Sequence, residues 1–231
     1  MQLYIANKNY SSWSMRPWVL MRHFDLPFEE VMLRFGKDSP SDPKSPFKNA
    51  ILRISPAGRV PVLVDGDLVV WDSLAIAETL AERVPQHPLW PREARSRARA
   101  RSMCAEMHSG LGALRRELPM NIELHMPEIG PRRLAESPEL RADVTRVVAM
   151  WSGALDASGG PFLFGTFGIA DAYFAPVASR FRSYGVSLPA PVQAYADRVR
   201  QTAAFAAWVE DALVEHEFVA DDEPYRTAPA R

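Results

Sequence analysis

Three prolines in seven residues, Pro85, Pro88 and Pro91 in the run PQHPLWP, cut the chain into two stretches of different pattern. Proline fixes φ and donates no backbone hydrogen bond, so such a run neither continues a helix nor joins the middle of a sheet. The chain is therefore expected to divide into residues 1–84, a linker at 85–91, and residues 92–231. The 20 prolines crowd between Pro27 and Pro91 and thin out through the Arg- and Ala-rich stretch beyond. Two architectures follow, a mixed α/β part and an all-helical part.

Residues 3–6 (LYIA) read as a strand and residues 7–9 as a polar turn. A helical pattern then runs to Phe24, with Pro17 inside it. Proline costs least in the first turn, so the helix is expected to start close to Ser14, leaving Ser11 and Ser12 at its mouth. Residues 28–35 read as a second strand and 43–54 as a short helix. Residues 60–64 and 68–71, joined by Asp65-Gly66-Asp67, form a β-hairpin. Asp72 and Ser73 cap a helix over 74–84. The order is β-α-β-α-β-β-α. After the linker, helices are expected at 95–118, 139–157, 169–181 and 191–213, followed by a polar, loosely held tail at 221–231.

Charge closes off several functions. With 27 basic against 28 acidic residues the net charge is −1, which argues against a nucleic-acid or anionic-membrane binder. Arg92, Arg95, Arg97, Arg99 and Arg101 wrap around a helix and make no stripe. No apolar run approaches the ~20 residues of a membrane span, and MQLYIANKNY does not read as a signal peptide; a cytoplasmic location is expected. The single cysteine, Cys104, excludes an internal disulfide framework and reads as a buried apolar residue. His23, His87, His108, His125 and His216 lack metal-ligand spacing, so no metal is expected. Gly110-Leu111-Gly112 lacks the strand and the third glycine of a dinucleotide fingerprint. Met103, Met107, Leu111 and Leu114 fall at helical spacing; they are core, with one edge able to line an apolar cleft.

The chemistry-bearing features are three. Ser11-Ser12-Trp13-Ser14 puts hydroxyls at a helix mouth, where they either cap the helix or donate to an anion held at its positive end. A thiolate suits such a place: a free thiol titrates near ~8.5, and lowering that by ~2 units requires about 2.7 kcal/mol. Val60-Pro61 opens a strand, which demands an edge position or a cis bond. Asp72-Ser73 either caps the following helix or binds a carboxylate through Ser73 and backbone N–H groups.

Taken together, the element order, the serine mouth, Val-Pro before the third strand, the acidic-Ser pair before the third helix and the helical second half resemble the glutathione S-transferase family. The resemblance implies a thioredoxin-like domain followed by a helical bundle domain, usually as a homodimer. Within the family, Ser11-Ser12-Trp13-Ser14-Met15-Arg16 looks most like the SSCSxR motif of the zeta class, the maleylacetoacetate isomerases. It implies that Ser11 stabilises the glutathione thiolate, with Ser12 its close rival. Val60 would bond the cysteinyl backbone, with Pro61 cis. Asp72 and Ser73 would grip the γ-glutamyl end, helped by Arg59. Trp13 stands at the zeta-class cysteine position, which counts against isomerase activity. Gly168, in GTFGIAD, stands where Ser or Thr usually caps, so a weak or absent first-turn bond to Asp171 is expected. A tyrosine-dependent reading competes, through Tyr4 or Tyr10. The implied function is detoxifying transfer of glutathione, as co-substrate, to a small, partly apolar electrophile. The alternatives are glutathione-dependent cis–trans isomerisation of a maleylacetoacetate-type acid and a non-catalytic, transferase-like binding module.

Overall fold

The computed structural model describes residues 1–36 and 40–227. The first part builds β1 (Gln2–Ile5), α1 (Ser12–His23), β2 (Glu29–Met32), α2 (Pro46–Leu52), β3 (Val62–Asp65), β4 (Leu68–Trp71) and α3 (Ser73–Arg83). The sheet order is β2-β1-β3-β4, with β1 parallel to β2 and antiparallel to β3, and β4 antiparallel to β3. Side chains alternate across it as strand geometry requires. Leu3, Ile5 and Leu63 join Met15, Val19, Ile76 and Leu80 in one core; Ala6 and Val62 pack with Phe47 and Ile51 of α2 on the other face. This is a thioredoxin-like layer arrangement.

The helical part comprises α4 (Ala94–Ser109), α5 (Gly112–Glu117), α6 (Ile129–Glu136), α7 (Pro138–Ser158), α8 (Ile169–Ser183), α9 (Ala190–Arg200) and α10 (Ala203–Leu213), with a 3-10 turn at Ala220–Asp222. Nearly every residue of α8 is buried, and it packs against α1, α4 and α9. It is the seam between the two parts.

Several expectations are corrected. The helix expected at 95–118 breaks between Gly110 and Gly112, because Leu111 adopts a left-handed φ of 53°. The helix expected at 191–213 also divides, and Thr202 caps α10 by accepting from the Phe205 N–H. Helix α6 was not expected. It carries Gly130 and Pro131, both poor helix formers, but a Cβ at Gly130 would lie 2.2 Å from the Tyr184 carbonyl oxygen. Only glycine permits that approach. Positions 228–231 of the expected loose tail lie outside the described residues, and the rest is not loose. Glu223 is buried, and Tyr225 donates to the Glu117 carbonyl at 2.6 Å.

The Gly168 expectation is half right. No side chain caps α8, yet the Gly168 N–H donates to Asp171 Oδ2 at 3.0 Å, and Asp171 also takes bonds from the Leu163 N–H and the Tyr195 hydroxyl. The linker explains the missing side chain. A Cβ at Gly168 would meet the Leu89 carbonyl oxygen at 2.8 Å, the same oxygen that accepts from the Ile169 N–H. Among the described residues no helix is long and apolar enough to cross a membrane.

Candidate active site

The loop before α1 is fixed from far along the chain. Asn7, Lys8 and Asn9 are polar but almost fully buried, so each must find partners. Lys8 Nζ pairs with Glu30 at 2.8 Å and Asp211 at 2.5 Å, between the rings of Trp18 and Trp208. Asn7 Nδ2 donates to Glu217, and Asn9 Oδ1 accepts from the Glu123 N–H. The serines that follow are thereby held against the helical part.

Helix α1 starts at Ser12, earlier than expected, with Ser11 as the N-cap. Pro17 therefore lies in the second turn and deprives the Trp13 carbonyl of its usual N–H partner. Ser11 makes no capping bond with its side chain. Its hydroxyl donates instead to Ser14 Oγ at 2.7 Å, and Ser14 Oγ also accepts from the Ala6 N–H at 3.3 Å. Ser14, one turn into α1, thus orients Ser11.

Two hollows meet at Trp13, Arg59 and Val60. The larger, about 520 Å³, contains Ser11 and Ser12 and is walled by Arg115, Arg180 and Asp222 from the helical part. The smaller, about 340 Å³, is lined by Asp72, Ser73 and His108. All six residues singled out from the sequence, Ser11, Ser12, Arg59, Val60, Asp72 and Ser73, line these two adjoining hollows. The Val60–Pro61 bond is cis, and β3 is a central strand, so the edge alternative falls.

Asp72 sits at φ 78°, a conformation rare outside glycine and concentrated at functional sites. It is held there by capping α3: Oδ1 accepts from the Leu74 and Ala75 N–H groups, while Oδ2 lies 3.0 Å from His108 Nε2. His108 Nδ1 lies 2.7 Å from the Tyr173 hydroxyl, which lies 3.0 Å from Ser73 Oγ. Neither His108 nor Tyr173 belongs to a local motif, and nothing in the sequence pointed to them.

Guanidinium groups dominate the electrostatics. Arg16 is sandwiched between Trp13 and Tyr173, at 4.0 and 4.2 Å from the ring centroids, and its nitrogens find no hydrogen-bond partner among the described residues. Arg180 donates to the Leu118 carbonyl at 2.6 Å, but its Nε is buried and unpartnered. Burial presses both below the usual arginine value; guanidinium groups nonetheless keep their protons in proteins, so two buried positive charges stand behind the cleft. Burial likewise lifts the Asp222 carboxyl to about 6, against the pull of Arg180.

The two competing tyrosines have other partners: Tyr4 donates to Gln2, and the hydroxyl of Tyr10, which itself lines the larger hollow, contacts Glu223 and the Glu217 carbonyl. Cys104 is fully buried, and burial pushes its thiol well above the ordinary value. Among the described residues no cluster of His, Cys, Asp or Glu could hold a metal.

A thioredoxin-like sheet whose first helix mouth opens onto a cleft walled by a helical domain is the transferase-type arrangement. The family model described as glutathione S-transferase, N-terminal domain matches residues 10–83, and that for the C-terminal domain matches residues 93–211. The chain belongs to the glutathione S-transferase family. It is 38% identical over 97 residues to glutathione S-transferase Z1 of Arabidopsis thaliana, covering 39% of this chain and 40% of that protein. It is 29% identical over 161 residues to a stringent starvation protein A homolog of Histophilus somni, covering 67% and 69%. The chain matches about two fifths of the length of its relatives from Dianthus caryophyllus, Arabidopsis thaliana and Euphorbia esula. A solved bacterial maleyl pyruvate isomerase, a zeta-class transferase in its holo form, shares the fold with a TM-score of 0.68 at 22% identity, covering 92% of this chain and 98% of that one.

Proposed function

We propose that the chain is a glutathione transferase that ionises the glutathione thiol at the Ser11–Ser12 mouth and presents it to an electrophile in the larger hollow. The convergence of the serine mouth, Val60 and the Asp72–Ser73 mouth on two adjoining hollows carries this reading. In it, the tripeptide's cysteinyl backbone pairs with Val60. Its γ-glutamyl end reaches Asp72 and Ser73, with Arg59 alongside. The Ser14 hydroxyl, supported by the Ala6 N–H, rotates to donate to Ser11, releasing the Ser11 proton toward sulfur. Ser12 is a second donor at the same mouth. The rate gain comes from thiolate concentration and positioning beside the electrophile. A cytoplasmic homodimer belongs to the same proposal.

Two arginines walling the larger hollow, Arg115 and Arg180, favour a second reading, isomerisation of an acidic substrate whose carboxylate those guanidinium groups would meet. Glutathione is then used without being consumed. Trp13, in place of the zeta-class cysteine, counts against it.

The test is a titration of bound glutathione by its thiolate absorbance, with turnover measured alongside, in wild type, Ser11→Ala and Ser12→Ala. Ser11→Ala should raise the bound thiol pKa by about 1–2 units and lower turnover about 10- to 100-fold while leaving affinity within a few-fold. Unchanged titration and turnover in both variants would overturn the serine assignment. Loss of glutathione over the assay marks conjugation; its conservation marks isomerisation.

A further inference from the structure

Ser73 and His108, which line the smaller hollow, are joined behind it by the buried Tyr173 in a hydrogen-bonded chain whose direction depends on one ring. The 3.0 Å approach of Asp72 Oδ2 to His108 Nε2 is an ion-pair contact that sets a carboxylate, which can only accept, against that nitrogen and so favours a proton there over a lone pair. In a neutral imidazole Nδ1 is then an acceptor. The Tyr173 hydroxyl must donate to it across 2.7 Å, and the Tyr173 oxygen takes the proton of Ser73 across 3.0 Å. Ser73 has one hydroxyl proton and spends it inward, so it faces the hollow as an acceptor only.

A proton on Nδ1 reverses every link. The imidazolium donates to Tyr173, Tyr173 donates to Ser73, and the Ser73 proton is released into the hollow. The two states suit different groups: an acceptor Ser73 meets an ammonium, and a donor Ser73 meets a carboxylate. A γ-glutamyl terminus carries both.

We propose that His108 is a positioning residue that switches Ser73 between acceptor and donor, so that seating the ligand's α-carboxylate on Ser73 takes up a proton at His108. The proposal rests on the glutathione reading and deepens it. The charged groups around His108 are Asp72, across the mouth of α3, Arg16, stacked on both Trp13 and Tyr173, and Arg115, 5.7 Å from the Trp13 ring centroid. Tyr173 on α8 relays the proton. Cys104, one turn back on α4, is a buried thiol and neutral; Arg59 lines the open side.

The test uses S-methylglutathione, which has no thiol to ionise, so proton traffic from sulfur is absent. Binding is measured by calorimetry in buffers of different ionisation enthalpy, across the range where imidazoles titrate, about pH 5.5 to 8. Wild type should take up a fraction of a proton on binding and tighten roughly three- to tenfold as pH falls. Tyr173→Phe, which cuts the chain while preserving the ring, and His108→Gln should each bind with that proton uptake abolished. Binding without proton uptake in wild type, or uptake retained in both variants, overturns the proposal and leaves the glutathione reading standing. No binding by wild type overturns both.

Discussion

The Tyr10 hydroxyl donates to Glu223 at 2.7 Å, joining the residue beside the serine mouth to one 213 positions further on. Glu223 also accepts from Asn121 at 2.8 Å and pairs with Arg226. The phenol's proton is thus committed to the C-terminal segment. Burial first, and then Glu223, raise its pKa well above the ordinary value, so it stays protonated. Tyr10→Phe removes a donor from a buried carboxylate and should cost about 1–3 kcal/mol of stability. Turnover should stay within about twofold. A tenfold fall in turnover, with folding intact by circular dichroism, would restore the tyrosine-dependent reading.

Arg16 poses a question of magnitudes. Stranding a guanidinium without hydrogen bonds costs several kcal/mol, whereas two ring contacts return about 1–2 kcal/mol each. Replacing it by an apolar side chain of similar length should therefore stabilise the fold. Its charge also lies one turn from the mouth where a thiolate would form. Arg16→Met is expected to raise Tm by a few degrees and, in the same protein, raise the bound thiol pKa by about half a unit or more. Thermal unfolding and thiol titration check both halves. A lower Tm would show that the ring sandwich outweighs the missing hydrogen bonds.

What the sequence revealed was what short-range rules encode. Strand alternation in Leu3–Ile5 and Val62–Val64, the Asp65-Gly66-Asp67 turn, the serine mouth and the Asp72 cap each depend on neighbours a few residues away. The breaks at Leu111 and Thr202, the helix through Gly130, and the packing of the tail depend on partners in remote segments. The tail illustrates the difference: its polar composition suggested solvent exposure, but Glu223 and Tyr225 satisfy Tyr10, Asn121 and the Glu117 carbonyl. The site divides the same way. Ser11, Ser12, Val60, Asp72 and Ser73 sit at element ends that local patterns mark, whereas His108, Arg115 and Arg180 enter the cleft, and Tyr173 stands behind Ser73, only through the packing of α4, α5 and α8.

Gly168 yields a prediction opposite to helix-capping statistics. A serine N-cap ordinarily stabilises a helix by about 1 kcal/mol. Here its Cβ would meet the Leu89 carbonyl oxygen at 2.8 Å, and backbone gives way only by moving the linker. Overpacking of that kind costs about 1–3 kcal/mol. Gly168→Ser should lower the denaturation midpoint with an unchanged m-value. A midpoint at or above wild type would mean that the linker yields freely there.

Asp171 makes the fold sensitive to pH in an unusual direction. Complete burial raises its carboxyl to about 7, even though the Leu163 and Gly168 N–H groups and the Tyr195 hydroxyl all pull it down. The unfolded value is near 3.9. A folded pKa above the unfolded one means that the native state holds the proton more tightly, so this contribution is complete below about pH 4 and is lost as pH rises toward 7. At 1.36 kcal/mol per unit, the difference is no more than about 4 kcal/mol. Asp171→Asn removes the titration while retaining an acceptor for Tyr195, at the cost of the Gly168 bond. The variant should therefore be less stable than wild type near pH 4.5, and the gap should narrow by about 2–4 kcal/mol by pH 7.5. Urea unfolding at the two pH values measures the gap directly. A gap that stays constant or widens with pH would show that the three hydrogen bonds outweigh burial and keep Asp171 ionised throughout.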